Sequence, residues 1–406
     1  MVCILRLPST RHSRVDSCYN EDYMNKRRYI FYIILGLIGC FAAVGEWKMY
    51  SYAFPVLRSN CALAFFLASP LLFVLPYTLA LNLPSNLVKI LTQIGGYWFV
   101  AAYYGVIGMI PFFFLLAAAT VTGHAFWYSL LSLYGTVAAL LIMLSLCCGR
   151  YRALHPVITR VETETAKALN KDLKIAFVSD IHLGAVQGKP FIRKLAEKME
   201  QIAPDMILIG GDIIDGNLEF VLRDKSLEEL ERLTDTGAEV IAVFGNHDHY
   251  GADIGEERRV LEEAGIRCLS DDTYRTETGA YVTGMVDYMY VTFQKVRPAR
   301  NDGFTIFMEH EPVQIKLAAA AGYDLYLAGH THAGQFWPNR LATKRIFELD
   351  FGIKQYRQMT AVVSSGYGSW GPLFRLGPAP EIVLITVKRK PAESETVRHR
   401  QTTGKL

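Results

Sequence analysis

Lys174-Ile175-Ala176-Phe177-Val178-Ser179-Asp180-Ile181-His182-Leu183-Gly184 decides how the second half of the chain is read. An apolar run of strand length stops abruptly at Ser179 and delivers an acid and an imidazole two residues apart. The same event recurs downstream. Met206–Gly210 ends in Gly211-Asp212-Ile213-Ile214-Asp215, and Val240–Phe244 ends in Gly245-Asn246-His247-Asp248. Two later apolar runs end in Glu309-His310-Glu311-Pro312 and Gly329-His330-Thr331-His332. In open α/β sheets, sites form in the loops that follow the carboxyl ends of strands. Any one of these pairs is explained as a helix cap or a turn. Five in sequence, each after a strand-like run, point to one place.

The segments between these runs have helical periodicity. Pro190–Ile202, Ser226–Thr236, Glu256–Ala264 and Val313–Ala321 read as helices, with further strands at Tyr281–Met285, Thr305–Met308, Leu325–Ala328, Ala361–Ser364 and Ile382–Val387. Strands alternating with amphipathic helices give an α/β domain. Its expected extent is 173–390, with a polar, helix-compatible linker at 149–172 and a polar tail at 391–406.

The first half is a different material. Of 42 Lys and Arg and 39 Asp and Glu, residues 1–150 hold ten and four, leaving 32 and 35 for the rest. No Asp, Glu, Lys or Arg occurs from Ile90 to Gly149. A helix crosses a bilayer in about 20 residues, so this stretch holds two spans. The expected turn between them is Thr122-Gly123-His124. Upstream apolar runs add two more. The expected membrane region is 29–148, with helices at 29–45, 61–81, 97–120 and 125–148, after a basic tail at 1–28.

Lys and Arg mark the cytoplasmic side. Arg6, Arg11, Arg14, Lys26, Arg27, Arg28, Lys89, Arg150 and Arg152 fall on one side, against Lys48 and Arg58 on the other. The expectation is a multi-pass protein of the cell membrane with both termini and the α/β domain in the cytoplasm. Cys268 stands alone in the second half, which suits a reducing compartment and gives no disulfide framework. The net charge of +3 makes no case for a nucleic-acid partner, and none is expected. Among ionisable residues within the spans only His124 stands out, and it lies in a predicted turn, so an anchor is expected rather than a transport path.

The donor set, imidazole with carboxylate, suits manganese, iron, zinc or cobalt better than an all-oxygen magnesium or calcium cage. The glycines before Asp212, Asn246 and His330 permit tight turns. Asp180-x-His182, Gly211-Asp212-x-x-Asp215, Gly245-Asn246-His247-Asp248, His310 and Gly329-His330-x-His332, in that order, resemble the calcineurin-like metallophosphoesterases over about residues 172–390. The resemblance implies an α/β/β/α sandwich following the four-helix transmembrane region. It also implies two divalent transition-metal ions, manganese first, with iron or zinc as alternatives. One metal would be held by Asp180, His182 and His332, and the other by Asn246, His310 and His330, with Asp212 bridging. His247 takes the catalytic position, with Asp248 orienting it and Asp215 in a supporting place.

The implied reaction is hydrolysis of a phosphodiester or pyrophosphate bond by a hydroxide between the metals, with His247 assisting. The resemblance is closest to membrane-tethered bacterial-type members, for which a UDP-diacylglucosamine pyrophosphatase is one precedent, so the expected partners are a phosphoester substrate, a lipid among them, and the membrane. Phe336, Trp337, Arg340, Lys344, Arg345 and Phe347, and the Gly-rich loop with Tyr367, Trp370, Phe374 and Arg375, read either as a seat for an acyl chain and headgroup or as ordinary loop packing. A metal-holding interaction module and a phosphohydrolase-regulated transporter or sensor are the alternative functions. Where tethered relatives have an acidic loop, Gly284-Met285-Val286-Asp287-Tyr288 keeps one Asp before an aromatic run through Phe293.

Overall fold

The computed structural model describes residues 38–79, 83–216, 218–250, 254–287 and 296–390. Two compact units are present. One includes Ile90–Leu144 and the preceding helices; the other runs from Ser145 onward together with Pro84–Lys89.

The first unit is helical. It contains α1 (38–53), α2 (Asn60–Ala68), α3 (Leu71–Leu79) and most of α4 (Ser85–Thr122) and α5 (Ala125–Ala153). α4 and α5 are the two helices long and apolar enough to cross a membrane among the described residues. They contain the predicted spans 97–120 and 125–148, and Gly123 makes the turn between them at φ +64°. The other two expected spans are described only in part. Of 29–45, residues 29–37 lie outside the described residues and the rest belong to α1. The expected span 61–81 is broken at Ser69-Pro70 into helices of nine residues each. Residues 80 and 81 of that expected span lie outside the described residues. The helices keep their apolar side chains outside: Phe114 is 74% exposed and Met143 63%. Inside, Met49, Phe112, Ala119 and Leu131 form a small core. Glu46, placed by the sequence at the edge of a span, is buried, and a Cβ on Gly105 would lie 2.6 Å from its Oε1.

The second unit is a sandwich of two six-stranded mixed sheets. The first sheet has the order β1 (Val157–Thr165), β12 (Glu381–Arg389), β2 (Leu173–Val178), β3 (Met206–Gly210), β4 (Glu239–Val243) and β5 (Arg267–Cys268). The second has β10 (Gly352–Tyr356), β11 (Met359–Val363), β9 (Leu325–Ala328), β8 (Thr305–Met308), β7 (Tyr281–Gly284) and β6 (Asp272–Arg275). Alternation along each strand builds the layers. In β2, Ile175 and Phe177 enter the core between the sheets, where they meet Val282, Ile306, Leu325 and Val362 of the second sheet. Ala176 and Val178 face the other way and pack with Ile192, Leu195 and Met199 of α6 (Lys189–Ile202). α7 (Leu218–Arg223), α8 (Ser226–Glu231) and α9 (Ile254–Glu263) complete that helix layer. α10 (Ile315–Ala321) covers the outer face of the second sheet through Ile315 and Ala318 against Phe307, Tyr326 and Val363. The α/β/β/α layering is therefore present. α11 (Arg340–Ile346) lies between β9 and β10 in the chain.

The expected linker at 149–172 is corrected. Its residues 157–165 form β1, which pairs in parallel with β12 over its whole length, from Val157 opposite Glu381 to Thr165 opposite Arg389. β1 is an edge strand with mostly exposed or half-exposed side chains, so its sequence lacks the apolar signature of β2 or β3. The predicted helix Ser226–Thr236 ends at Glu231, followed by a 3-10 turn at Thr234–Thr236.

Candidate metal centre

β2, β3 and β4 run parallel in one sheet, and β8 and β9 run parallel in the other. All five of the sequence's polar clusters lie directly beyond the carboxyl ends of these strands. The backbone there is held in an uncommon conformation. Asp180, His182, Asp212, His330 and His332 all have left-handed φ, between +48° and +69°. Such strain on non-glycine residues persists only where surroundings over-determine it, and it clusters at functional sites. Here the strands hold it. Asp180 N–H donates to Gly211 O at 2.9 Å and His182 N–H to Asp212 O at 2.9 Å, tying the first two loops together. Gly245 must be glycine, because a Cβ would lie 2.7 Å from Asp212 N and His310 Cδ2.

The side chains converge as two overlapping groups. Asp180, His182 and His332 bring one donor atom each within 4.8 Å of one another, and so do Asp180, Asp212 and His310. His332 Nε2 lies 3.3 Å from Asp180 Oδ1, His182 Nε2 3.0 Å from His332 Nε2, and His310 Nε2 3.2 Å from Asp212 Oδ2. Asn246 Oδ1 is 2.9 Å from His330 Nδ1, and the His310 and His330 rings are 5.1 Å apart. All seven predicted ligand positions are thus in one cluster. His182, His247 and Asp212 form a third close group, which places the predicted catalytic imidazole against it.

The cluster fits a pair of cations. His310 Nδ1–H donates to Gly210 O at 2.8 Å and turns Nε2 toward Asp212, whose charge, against burial, holds the His310 pKa well above its ordinary range, so a cation at Nε2 would take the place of the proton there. That Nε2 is buried without a hydrogen-bond partner, as is Nδ1 of His182. Unpaired buried polar atoms are costly in an apolar interior, and a metal satisfies such an atom. Burial pushes the pKa of His330 down to about 3 and that of His332 well below its ordinary range, with the Arg375 charge adding to the latter. Both rings are therefore neutral, the state a metal ligand needs. Buried Asp180 and Asp212 repel one another. Burial pushes Asp180 up, while Asp212 is held down, against its burial, by His310.

The partner of His247 differs from the expectation. Asp215 Oδ1 is 2.8 Å from His247 Nδ1, whereas Asp248 accepts from Gly245 N–H at 2.7 Å and Ile214 N–H at 2.8 Å. Asp248 ties two loops together; Asp215 orients the imidazole. Burial opposes charge on His247, but the Asp215 hydrogen bond and the nearby Asp212 outweigh it and raise the pKa to about 9. Behind Asp248 lies fully buried Glu257, whose pKa burial and the Asp248 charge push up to about 11.

Some participants were not singled out for these roles in the sequence. Tyr250 OH accepts from Asn246 Nδ2 at 2.9 Å. Arg375 is fully buried and braces the His332 loop, with Nη1 donating to His332 O at 3.1 Å and Nη2 lying 2.8 Å from His332 Nδ1. The Gly-rich loop therefore packs rather than presenting a headgroup seat. Phe374 and Tyr367 are buried with Arg375. Only the spatial fold reveals this, since a cationic residue among aromatics reads equally well as exposed.

Residues 173–334 match the calcineurin-like phosphoesterase family. An uncharacterized metallophosphoesterase of Aquifex aeolicus is 29% identical over 264 residues, covering 61% of this chain and 99% of that protein. One of Helicobacter pylori is 34% identical over 233 residues, covering 55% of this chain and 61% of that protein. A Bos taurus protein described as a transmembrane protein with metallophosphoesterase domain is 29% identical over 266 residues, 59% of each chain. The match thus spans about three fifths of the length of the latter two. With five loops converging on an Asp/His cluster, residues 173–334 form a domain similar to the calcineurin-like metallophosphoesterases.

Proposed function

We propose that this protein is a membrane-anchored two-metal phosphohydrolase that cleaves a phosphodiester or pyrophosphate bond. The observation that carries the reading is the juxtaposition of His247, held by Asp215, with the Asp180/His182/Asp212/His310/His332 cluster. Asp180, His182 and His332 would hold one ion and Asn246, His310 and His330 the other, with Asp212 shared. Manganese is the proposed metal, with iron or zinc as alternatives. Bound there, the pair would supply an activated water at neutral pH and offset charge on the phosphate oxygens.

The chain's own residues do the rest. His247, charged up to about pH 9, has Nδ1 occupied by Asp215 and keeps its other ring nitrogen to donate a proton to a departing oxygen. Asp212 Oδ1 accepts the His247 backbone N–H at 2.8 Å, which fixes that loop against the cluster. Asp248, through Gly245 and Ile214, holds the His247 and Asp215 loops in register.

The proposed substrate is a phosphoester carried by a lipid, of the kind represented by UDP-diacylglucosamine. α4 and α5 support a place at the membrane, and the cation-rich flanks support a cytoplasmic domain. A metal-holding platform without turnover is the less favoured reading, because it has no use for a charged, oriented His247.

Hydrolysis by the detergent-solubilised chain with manganese tests the proposal, on bis-p-nitrophenyl phosphate and p-nitrophenyl phosphate. Diester turnover that His247→Ala abolishes supports it and sends the search to lipid pyrophosphates. Preference for the monoester contradicts the bond type. Metal bound without turnover on soluble or lipid-linked diesters and pyrophosphates contradicts the enzyme.

A further inference from the structure

The chain between the metal-binding loop and β10 leaves an unusual surface. Gln335–Phe347 contains no acidic residue and three cations, Arg340, Lys344 and Arg345. Most of its large apolar side chains are turned outward: Trp337 is 58% exposed, Leu341 54% and Ile346 71%. Lys344 and Arg345 on the same short helix are also exposed. A soluble surface scatters such residues singly; an amphipathic element at a bilayer gathers Trp and aliphatic residues beside Lys and Arg.

Its place in the fold says what covers it. Only residues 154–156 separate the end of α5 from β1, so the sandwich begins within roughly 15 Å of that helix end. Arg152, in the last turn of α5, lines with Trp337 and Arg340 a single cavity of about 450 Å³. The segment is also tied to the metal-site loops at both ends. Before it, Thr331 Oγ1 accepts from Ala333 N–H at 3.1 Å beside His332, and Gly334 packs on Arg340. After it, the Phe347 ring meets the His330 ring edge-on with centroids 5.9 Å apart.

We propose that Trp337–Ile346 is a docking surface for an anionic phospholipid bilayer. Trp337, Leu341 and Ile346 enter the headgroup region while Lys344, Arg345 and Arg152 meet lipid phosphates. The occupant is a bilayer rather than a protein because the cations complement anionic headgroups and α5 delivers the segment's neighbour, Arg152, from an apolar helix. Docking would hold the His330/His332 loop at the lipid surface, within reach of a lipid-borne phosphoester. This last step rests on the proposed function; the docking does not.

The test uses the full chain in vesicles of phosphatidylglycerol and phosphatidylcholine, with Leu341 replaced by the photoreactive p-benzoylphenylalanine. Lys194, exposed on α6, is the control position. Irradiation is expected to attach phospholipid at position 341 at least roughly fivefold more than at 194. Lys344→Glu with Arg345→Glu should lower that yield severalfold in phosphatidylglycerol vesicles and little in phosphatidylcholine alone. Equal yields at 341 and 194, or attachment at 341 to a second copy of the chain, would overturn the proposal. Since the readout is lipid contact and not turnover, failure here and failure of the hydrolase reading are distinguishable.

Discussion

The two units of this protein place their apolar side chains in opposite positions. On α4 and α5, Phe114 and Met143 lie outside and the interior is a small cluster around Phe112. In the sandwich, Ile175, Phe177, Ile306 and Leu325 are fully buried between sheets and the surface is charged. The same hydrophobic effect produces both patterns, because the expected solvent differs. Chemistry follows the difference. A dry, packed interior can hold strained loops and unpaired lone pairs in place, and the metal-type cluster is found at its edge.

The contrast is broken first at the metal cluster. Asp212→Asn and His310→Ala should each reduce metal affinity by more than the roughly 10–100-fold seen when only a ligand's supporting group is removed. Turnover should fall with it, as read by metal content and diester hydrolysis. Substitutions on the outer face of α4, such as Phe114→Ala, should leave both unchanged.

A smaller effect is expected from the group that orients His247. Asp215→Asn should lower turnover about 10–100-fold, in the range of such supporting partners. It should also change the pH profile. His247 is charged below its raised pKa, so activity that needs its proton persists at neutral pH and falls as pH rises through about 9. Without Asp215 that fall moves to lower pH. A profile unchanged in the variant would remove His247 from the proton's path.

Packing sharpens the comparison further. Phe177→Ala, between the sheets, should cost about 3–5 kcal/mol in stability, measured by denaturant unfolding, against about 0.5 kcal/mol or less for Phe114→Ala. The smallest effect concerns Glu257. Its folded pKa, about 11, stands far above the unfolded value of about 4.5, so the folded state binds the extra proton across that window. Stability contributed this way is present at low pH and declines as pH rises. Glu257→Gln should flatten that decline, changing stability by about 2 kcal/mol near pH 6.

The comparison also explains what was legible in the sequence. Strands buried on both faces, such as β2 and β3, are continuous apolar runs, and the candidate metal-binding residues sit immediately after them. Fold class and the Asp/His cluster could therefore be read directly. β1 could not, because only its pairing with β12, more than 200 residues away, makes Val157–Thr165 a strand. Nor could the partner of His247. Asp248 is adjacent in sequence, but adjacent residues in a turn face different ways, and Asp215 reaches the ring from another loop. Four spans were expected because hydropathy counts apolar residues. It does not register the break at Ser69-Pro70, and among the described residues α4 and α5 are the two helices long and apolar enough to cross a membrane.

The central claim is that these loops bind a pair of metals for hydrolysis. Elemental analysis of the purified chain and its His310→Ala variant, each after equilibration with manganese, tests it most directly. The account predicts two manganese per wild-type chain, one or fewer in the variant, and diester turnover that falls in parallel. One metal or none in the wild type, or full turnover in the variant, would contradict it.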